Sequence, residues 1–89
     1  MNLYVGIGTI VEVDDDIPKV LKFKLVIKQK KPCYIPCVLF EPDEQVKEFL
    51  AQLARSNQLV WLQGRIASHE FMNILKMEIV TYKNSIRPL

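Results

Sequence analysis

The sequence predicts an all-β fold, a five-stranded Greek-key barrel with one helix between the third and fourth strands. Three observations support this prediction. Five runs of the chain are rich in β-branched and apolar residues, one segment has the apolar spacing of a helix, and 49% of the 89 residues are hydrophobic. A chain of this length forms one domain, which we assign to residues 1–89 because no linker, repeat or low-complexity segment interrupts it.

The first strand covers residues 3–13, which are mostly apolar and β-branched. Gly6 and Gly8 are embedded in it, and glycine inside a strand indicates a bend, a bulge or close approach of another backbone. We therefore expect a long strand that bends. The next segment, 14–18, consists of three aspartates, an isoleucine and a proline, a composition typical of a turn.

The second and third strands follow directly. The second covers about 19–30, and Pro32 interrupts the pattern before the third, which covers about 33–40. Pro36 lies inside this third strand. Because proline donates no backbone hydrogen bond, it predicts an edge position or a bulge.

A single helix comes next. Pro42 suits a first helical position, and Asp43 and Glu44 complement the positive end of the helix dipole. Asn57 is a plausible left-handed residue at the end. The predicted buried stripe, spaced at i, i+3, i+4, i+7 and i+8, consists of Val46, Phe49, Leu50, Leu53 and Ala54.

The fourth strand covers about 58–68 and the fifth about 74–83, with a turn near Met72. Trp61 has the parity opposite to the apolar row of its strand, which leaves three positions open: beneath the helix, in a subunit contact, or on an open face. Three strands, one helix and two strands, in that order, match the OB barrel. A small SH3-like barrel lacks this helix, and a ferredoxin-like domain needs two.

The second strand carries the main functional signal. Phe23, Leu25 and Ile27 share one parity, so they are expected to face the core. The other parity carries four lysines: Lys22, Lys24, Lys28 and Lys30. Such a row is either the solvated outer face of an antiparallel sheet or a cationic track for a phosphate backbone.

Composition excludes several classes of function. The chain has no catalytic triad, no pair of carboxylates with a base, no phosphate-binding glycine loop and no metal-ligating set, so we expect neither an enzyme nor a cofactor or metal. No apolar run is long enough to cross a membrane, and the N-terminus does not resemble a signal peptide. Cys33 and Cys37 lie too far apart on one strand to form a disulfide, and we interpret them as buried, reduced thiols of a cytoplasmic protein.

Several segments, in the correct order, resemble the bacterial single-stranded DNA-binding proteins (SSB) and the primosomal replication protein N (PriB). Residues 2–10 are similar to the SSB opening, 34–40 to its third strand, 45–50 to its helix and 60–66 to its fourth strand. Residues 63–80 are also similar to the strand, turn and strand of PriB. Each motif is weak by itself, but together they cover nearly the whole chain. The family implies an OB fold and a single-stranded DNA ligand.

The resemblance also implies which residues bind. The SSB base-stacking aromatics fall on Tyr34, Phe40 and Phe71, and the tryptophan that SSB carries late in its second strand is replaced here by lysines. An aromatic platform binds any base, because every base has a π-face. The predicted nucleic-acid-binding residues are Lys22, Lys24, Lys28, Lys30, Tyr34, Phe40, Arg65 and Phe71.

The resulting hypothesis is sequence-tolerant binding of single-stranded DNA by an accessory protein of replication, the primosome or recombination. The resemblance implies a homodimer, or a homotetramer, with contacts to other replication proteins. The chain stops at Leu89, so we expect it to lack the acidic tail of SSB. Two alternatives stay open. The first is an RNA-binding OB domain, because no residue in the sequence identifies the 2′-hydroxyl contact that would distinguish RNA from DNA. The second is an OB subunit that binds only proteins.

Overall fold

Five strands close into a barrel in which each strand pairs with two others, in the order β1-β2-β3-β5-β4. The computed structural model describes all residues, 1–89. The elements are β1 (Tyr4–Asp14), β2 (Val20–Ile27), β3 (Cys33–Phe40), α1 (Glu44–Arg55), β4 (Leu59–Phe71) and β5 (Ile74–Pro88). All pairings are antiparallel except β3 with β5, which is parallel. The predicted five-stranded barrel with its helix between β3 and β4 is confirmed.

The barrel closes because β1 bends from one neighbour to the other. Its first half pairs with β4, from Tyr4 to Thr9, and its second half pairs with β2. Gly8 lies at this crossover, where a Cβ atom would collide with the backbone carbonyl of Val26. A glycine is therefore required for β1 and β2 to approach, as its position in the sequence predicted.

Alternation along the strands builds the core. Leu21, Phe23 and Leu25 of β2 are buried, as the parity of this strand predicted. They belong to the same core cluster as the buried residues of α1, a helix that packs mainly against β1. The core cluster consists of Ile10, Leu21, Phe23, Leu25, Cys37, Leu39, Val46, Leu50, Leu53, Val60, Leu62, Ile79 and Ile86.

The helix begins slightly later than predicted. Asp43 is its N-cap, and its carboxylate accepts a hydrogen bond from the backbone N–H of Val46 at 2.8 Å, so Pro42 lies before the helix and is not its first residue. At the other end Asn57 adopts the predicted left-handed conformation, with φ of 54°. With 12 residues, this helix falls short of the length and apolarity that a membrane span requires.

The strand bounds differ from the prediction at three places. β2 ends at Ile27, because its partner β3 begins only after Pro32, and a loop must span the turn between them. β4 and β5 are both longer than predicted and pair with each other as far as Phe71 and Ile74. Their extension carries polar residues that interrupt the apolar alternation, while the backbone pairing continues.

β3 contains a proline and both cysteines of the chain. Pro36 lies where β3 pairs only with β2, which confirms the predicted edge position. Cys37 is buried, and burial raises the pKa of its thiol to about 12. Cys33 is exposed, so the prediction of two buried thiols was wrong for this residue. It occupies the first position of β3, beyond the stretch that β5 covers.

Candidate nucleic-acid interface

The outer surface of the β2–β3 hairpin brings two of the predicted lysines and two of the predicted aromatics onto one face. Cross-strand pairing joins Val20 with Phe40, Lys22 with Val38, Lys24 with Pro36 and Val26 with Tyr34. Directly opposed residues of an antiparallel pair share a face. We call this surface the β2–β3 face.

The aromatics stand at opposite ends of this face. Tyr34 is 57% exposed and Phe40 is 51% exposed. They lie six positions apart on one strand, a separation of about 20 Å. Lys22 and Lys24 lie between them on the neighbouring strand. The β2–β3 face is therefore a platform with aromatic ends and a basic centre.

The third predicted aromatic lies on the β4–β5 hairpin. Phe71 is the last residue of β4, and a two-residue turn separates it from its partner Ile74. Met72 and Asn73 both have positive φ, at 51° and 64°, as a tight hairpin turn requires. Phe71 is exposed, and the ammonium nitrogen of Lys76 lies 5.5 Å from its ring centre.

A groove separates this hairpin from the barrel wall, with a volume of about 910 Å³. The residues that line it come from the end of β1, from β2 and β3, and from the β4–β5 hairpin. The lining residues are Glu12, Val13, Asp14, Lys22, Phe23, Lys24, Pro36, Cys37, His69, Phe71, Lys76, Met77 and Glu78. Three of the predicted binding residues, Lys22, Lys24 and Phe71, therefore line a single groove.

The charges of the groove are mixed, which the lysine row alone did not indicate. Lys24 forms an ion pair with Glu12, whose Oε2 lies 3.0 Å from the lysine nitrogen. Lys22 is directly opposite Asp14 in the sheet but makes no ion pair. Three lysines and three carboxylates line the groove in total. The groove offers basic contacts without a strongly positive field.

His69 and Glu78 add a polar contact on the hairpin side. The Nδ1 atom of His69 lies 3.6 Å from Oε1 of Glu78, whose side chain is largely buried. Both residues lie on strands, His69 on β4 and Glu78 on β5.

The remaining predicted binding residues lie around the groove and not in it. Lys28 and Lys30 lie in the loop between β2 and β3, because β2 ends before them, so they do not continue its outer row. They lie at the same end of this hairpin as Tyr34. Arg65 is exposed on β4 and shares a row with Lys22 through Val80 and Val38, about 14 Å across the sheet.

A separate apolar surface lies where β1 pairs with β4. It consists of Leu3, Val5, Ile7, Leu59 and Trp61, and we call it the β1–β4 face. Trp61 lies opposite Ile7, and the guanidinium of Arg87 lies 5.4 Å from its ring centre. This placement excludes the first of the three positions considered for Trp61, beneath the helix.

No three side chains of the types that ligate metals come together anywhere in the structure.

No protein-family model matches the chain, and no curated protein matches its sequence. Solved structures do match it. An SSB from Plasmodium falciparum in complex with single-stranded DNA is 18% identical, with a TM-score of 0.74, and the match covers 100% of this chain and 95% of that one.

The mitochondrial single-stranded DNA-binding protein Rim1 of S. cerevisiae is also 18% identical, with a TM-score of 0.72 and coverage of 98% and 94%. A dimeric N-terminal domain of PriB from Thermoanaerobacter tencongensis is 15% identical, with a TM-score of 0.57 and coverage of 99% and 96%. The chain has their fold. Both groups named by the sequence resemblance thus recur among the matching structures, and the OB fold that the resemblance implied is confirmed.

Proposed function

We propose that this protein binds single-stranded DNA with little base preference, along the β2–β3 face and into the groove. One observation carries the proposal. The register of the sheet places Lys22 and Lys24 between two exposed aromatics, and a third aromatic, Phe71, lines the same groove as these lysines. The comparison supports it, because the matching SSB structure is a complex with single-stranded DNA.

The aromatics and the lysines have different roles in this proposal. Tyr34, Phe40 and Phe71 stack on bases, at about 1–3 kcal/mol for each stacked base. Lys22 contacts phosphates directly, since no carboxylate neutralises it. The two ends of the β2–β3 face are about 20 Å apart. This length suits a short binding site, in the range of about 4–16 nucleotides for an OB fold.

Basic residues outside the groove extend the proposed path. Lys28 and Lys30 supply charge beside Tyr34, and Arg65 supplies it on the far side of β5. These long side chains are exposed and contact the backbone of the strand without reading bases. The protein acts by holding a strand and not by catalysis.

The same proposal includes a homodimer formed through the β1–β4 face. From Tyr4 to Gly8, β1 pairs only with β4, so its other edge is open. Leu3, Val5 and Ile7 are each about half exposed beside this edge. An open edge has unpaired backbone N–H and C=O groups, and here an apolar row lies beside it. A second copy of the chain would pair with the edge and bury the apolar row. The matching PriB domain is dimeric. A tetramer would need a further contact between dimers.

The biological role that we propose is that of an accessory protein in replication, restart or recombination, which holds single strands and meets other replication proteins through its folded surface. RNA is the second candidate ligand, because stacking on Tyr34, Phe40 and Phe71 does not discriminate between the two nucleic acids.

Filter binding tests these proposals with poly-dT, poly-U and duplex DNA at two salt concentrations. We expect poly-dT to bind more tightly than the duplex, with a log–log salt slope of about −0.7 per phosphate contact. Tight duplex binding without preference for single strands would overturn the proposal, and a clear preference for poly-U would favour the RNA alternative.

A further inference from the structure

We propose that Glu12 is an affinity-setting residue, which competes with the phosphates of a bound strand for the ammonium group of Lys24. This inference rests on the proposed function and concerns the same groove. Because of this competition, the affinity for a single strand is lower, and depends less on salt, than it would be if the lysines acted alone.

The backbone of β1 brings Glu12 into the groove. Glu12 has the same strand parity as Ile10, which is fully buried, so a regular strand would turn both side chains towards the core. Between Val11 and Asp14, however, β1 advances three residues while β2 advances two, from Lys24 to Lys22. This bulge turns the Glu12 side chain outward.

The bulge carries a conformational cost. Glu12 has a φ of 53°, in the left-handed region that residues other than glycine rarely adopt. Its carboxylate nevertheless lies 3.0 Å from the nitrogen of Lys24, and both side chains line the groove. The bulge therefore holds the carboxylate of Glu12 next to a proposed phosphate contact.

The physical effect follows from this distance. A carboxylate at 3.0 Å neutralises the ammonium of Lys24 locally, so a phosphate must displace the carboxylate before it gains this contact. Without Glu12, Lys24 becomes a full phosphate contact. One further contact with a single strand steepens the log–log salt slope by about 0.7.

The test compares the wild type with Glu12→Gln, measured by fluorescence anisotropy with a labelled dT oligonucleotide over a series of salt concentrations. Glu12 is exposed, so the substitution preserves size and fold. We expect Glu12→Gln to bind about three- to tenfold more tightly at low salt, with the steeper slope given above.

Glu48→Gln is the matched control. Glu48 forms an exposed ion pair with Arg55, also at 3.0 Å, but on α1 and outside the groove. The substitution changes the net charge by the same amount, so it separates a local effect from a general one. A second variant, Glu12→Gln with Lys24→Ala, is compared with Lys24→Ala alone. If Glu12 acts through Lys24, the gain in affinity and the steeper slope both disappear without the lysine.

Three results would overturn the inference, and they are distinguishable. If the wild type fails to bind the dT oligonucleotide, the proposed function fails and this inference fails with it. If the wild type binds but Glu12→Gln behaves like Glu48→Gln or binds more weakly, only the role of Glu12 is wrong. If the gain persists without Lys24, Glu12 acts by direct repulsion of phosphate and not by competition.

Discussion

Substitution of Phe71 by alanine tests the role of the β4–β5 hairpin most directly. The proposal assigns one stacked base to this ring, which is worth about 1–3 kcal/mol. We therefore expect the dissociation constant for a dT oligonucleotide to rise by about 5- to 150-fold at 25 °C. The salt slope should stay nearly constant, because Phe71 contacts no phosphate.

The loss of fold stability should be small by comparison. Phe71 is 56% exposed, so less than half of its surface is buried in the free protein. Complete burial of a phenylalanine stabilises a protein by about 1.5–3 kcal/mol, which limits the expected loss to about 1 kcal/mol. For a domain of this size, that lowers the melting temperature by about 4–8 °C. Thermal unfolding followed by circular dichroism measures this shift.

Leu75→Ala is the matched control for this experiment. Leu75 lies on the same hairpin, is also exposed and pairs with Glu70, but its parity is opposite to that of Lys76 and it does not line the groove. We expect binding by Leu75→Ala to match the wild type, and Phe71→Trp to retain affinity. If Phe71→Ala binds as well as the wild type, or if Leu75→Ala loses as much affinity, the stacking role of Phe71 is wrong.

Three further substitutions or labelling experiments test other parts of the account. Replacing Lys22 and Lys24 by alanine should weaken binding to all single strands alike and flatten the salt slope by about 0.7–1.4, and an unchanged slope would return this row to a merely solvated face. Ile7→Asp should convert a dimer to a monomer in light scattering at micromolar concentration, because it buries a charge in an apolar contact; a wild type that is already monomeric there contradicts the dimer. Iodoacetamide should label Cys33 in the native protein and Cys37 only after denaturation, since Cys37 is buried and its thiol pKa is raised to about 12; equal native labelling would show that β3 opens.

Most of the fold could be predicted because the relevant signals are local. Alternation in β2 identified Phe23 and Leu25 as core residues, and the stripe of α1 identified its buried side. The close approach at Gly8 and the edge at Pro36 were each among the alternatives that the residue type predicted. Each depends on properties of a few neighbouring residues, such as a missing Cβ atom or a missing N–H group.

Errors occurred where a strand's extent depended on its partner. The lysine row was predicted to include Lys28 and Lys30, but β2 ends at Ile27 because β3 offers no residue beyond Cys33 to pair with it. β5 was predicted to end near residue 83, but it pairs with β4 as far as Pro88. The hydrogen bonds that define a strand are made to its partner strands, so its own residues do not determine its length.

The sequence by itself determined the type of each element, the buried side of the helix and of β2, and the residue types suited to phosphate and to bases. Only the tertiary structure decided which of these residues meet. Pairing between strands brought Phe71 into the same groove as Lys22 and Lys24, and a bulge in β1 turned Glu12 towards Lys24. Both outcomes depend on pairing between segments, since a shift of one residue in register would send every side chain of a strand to the other face.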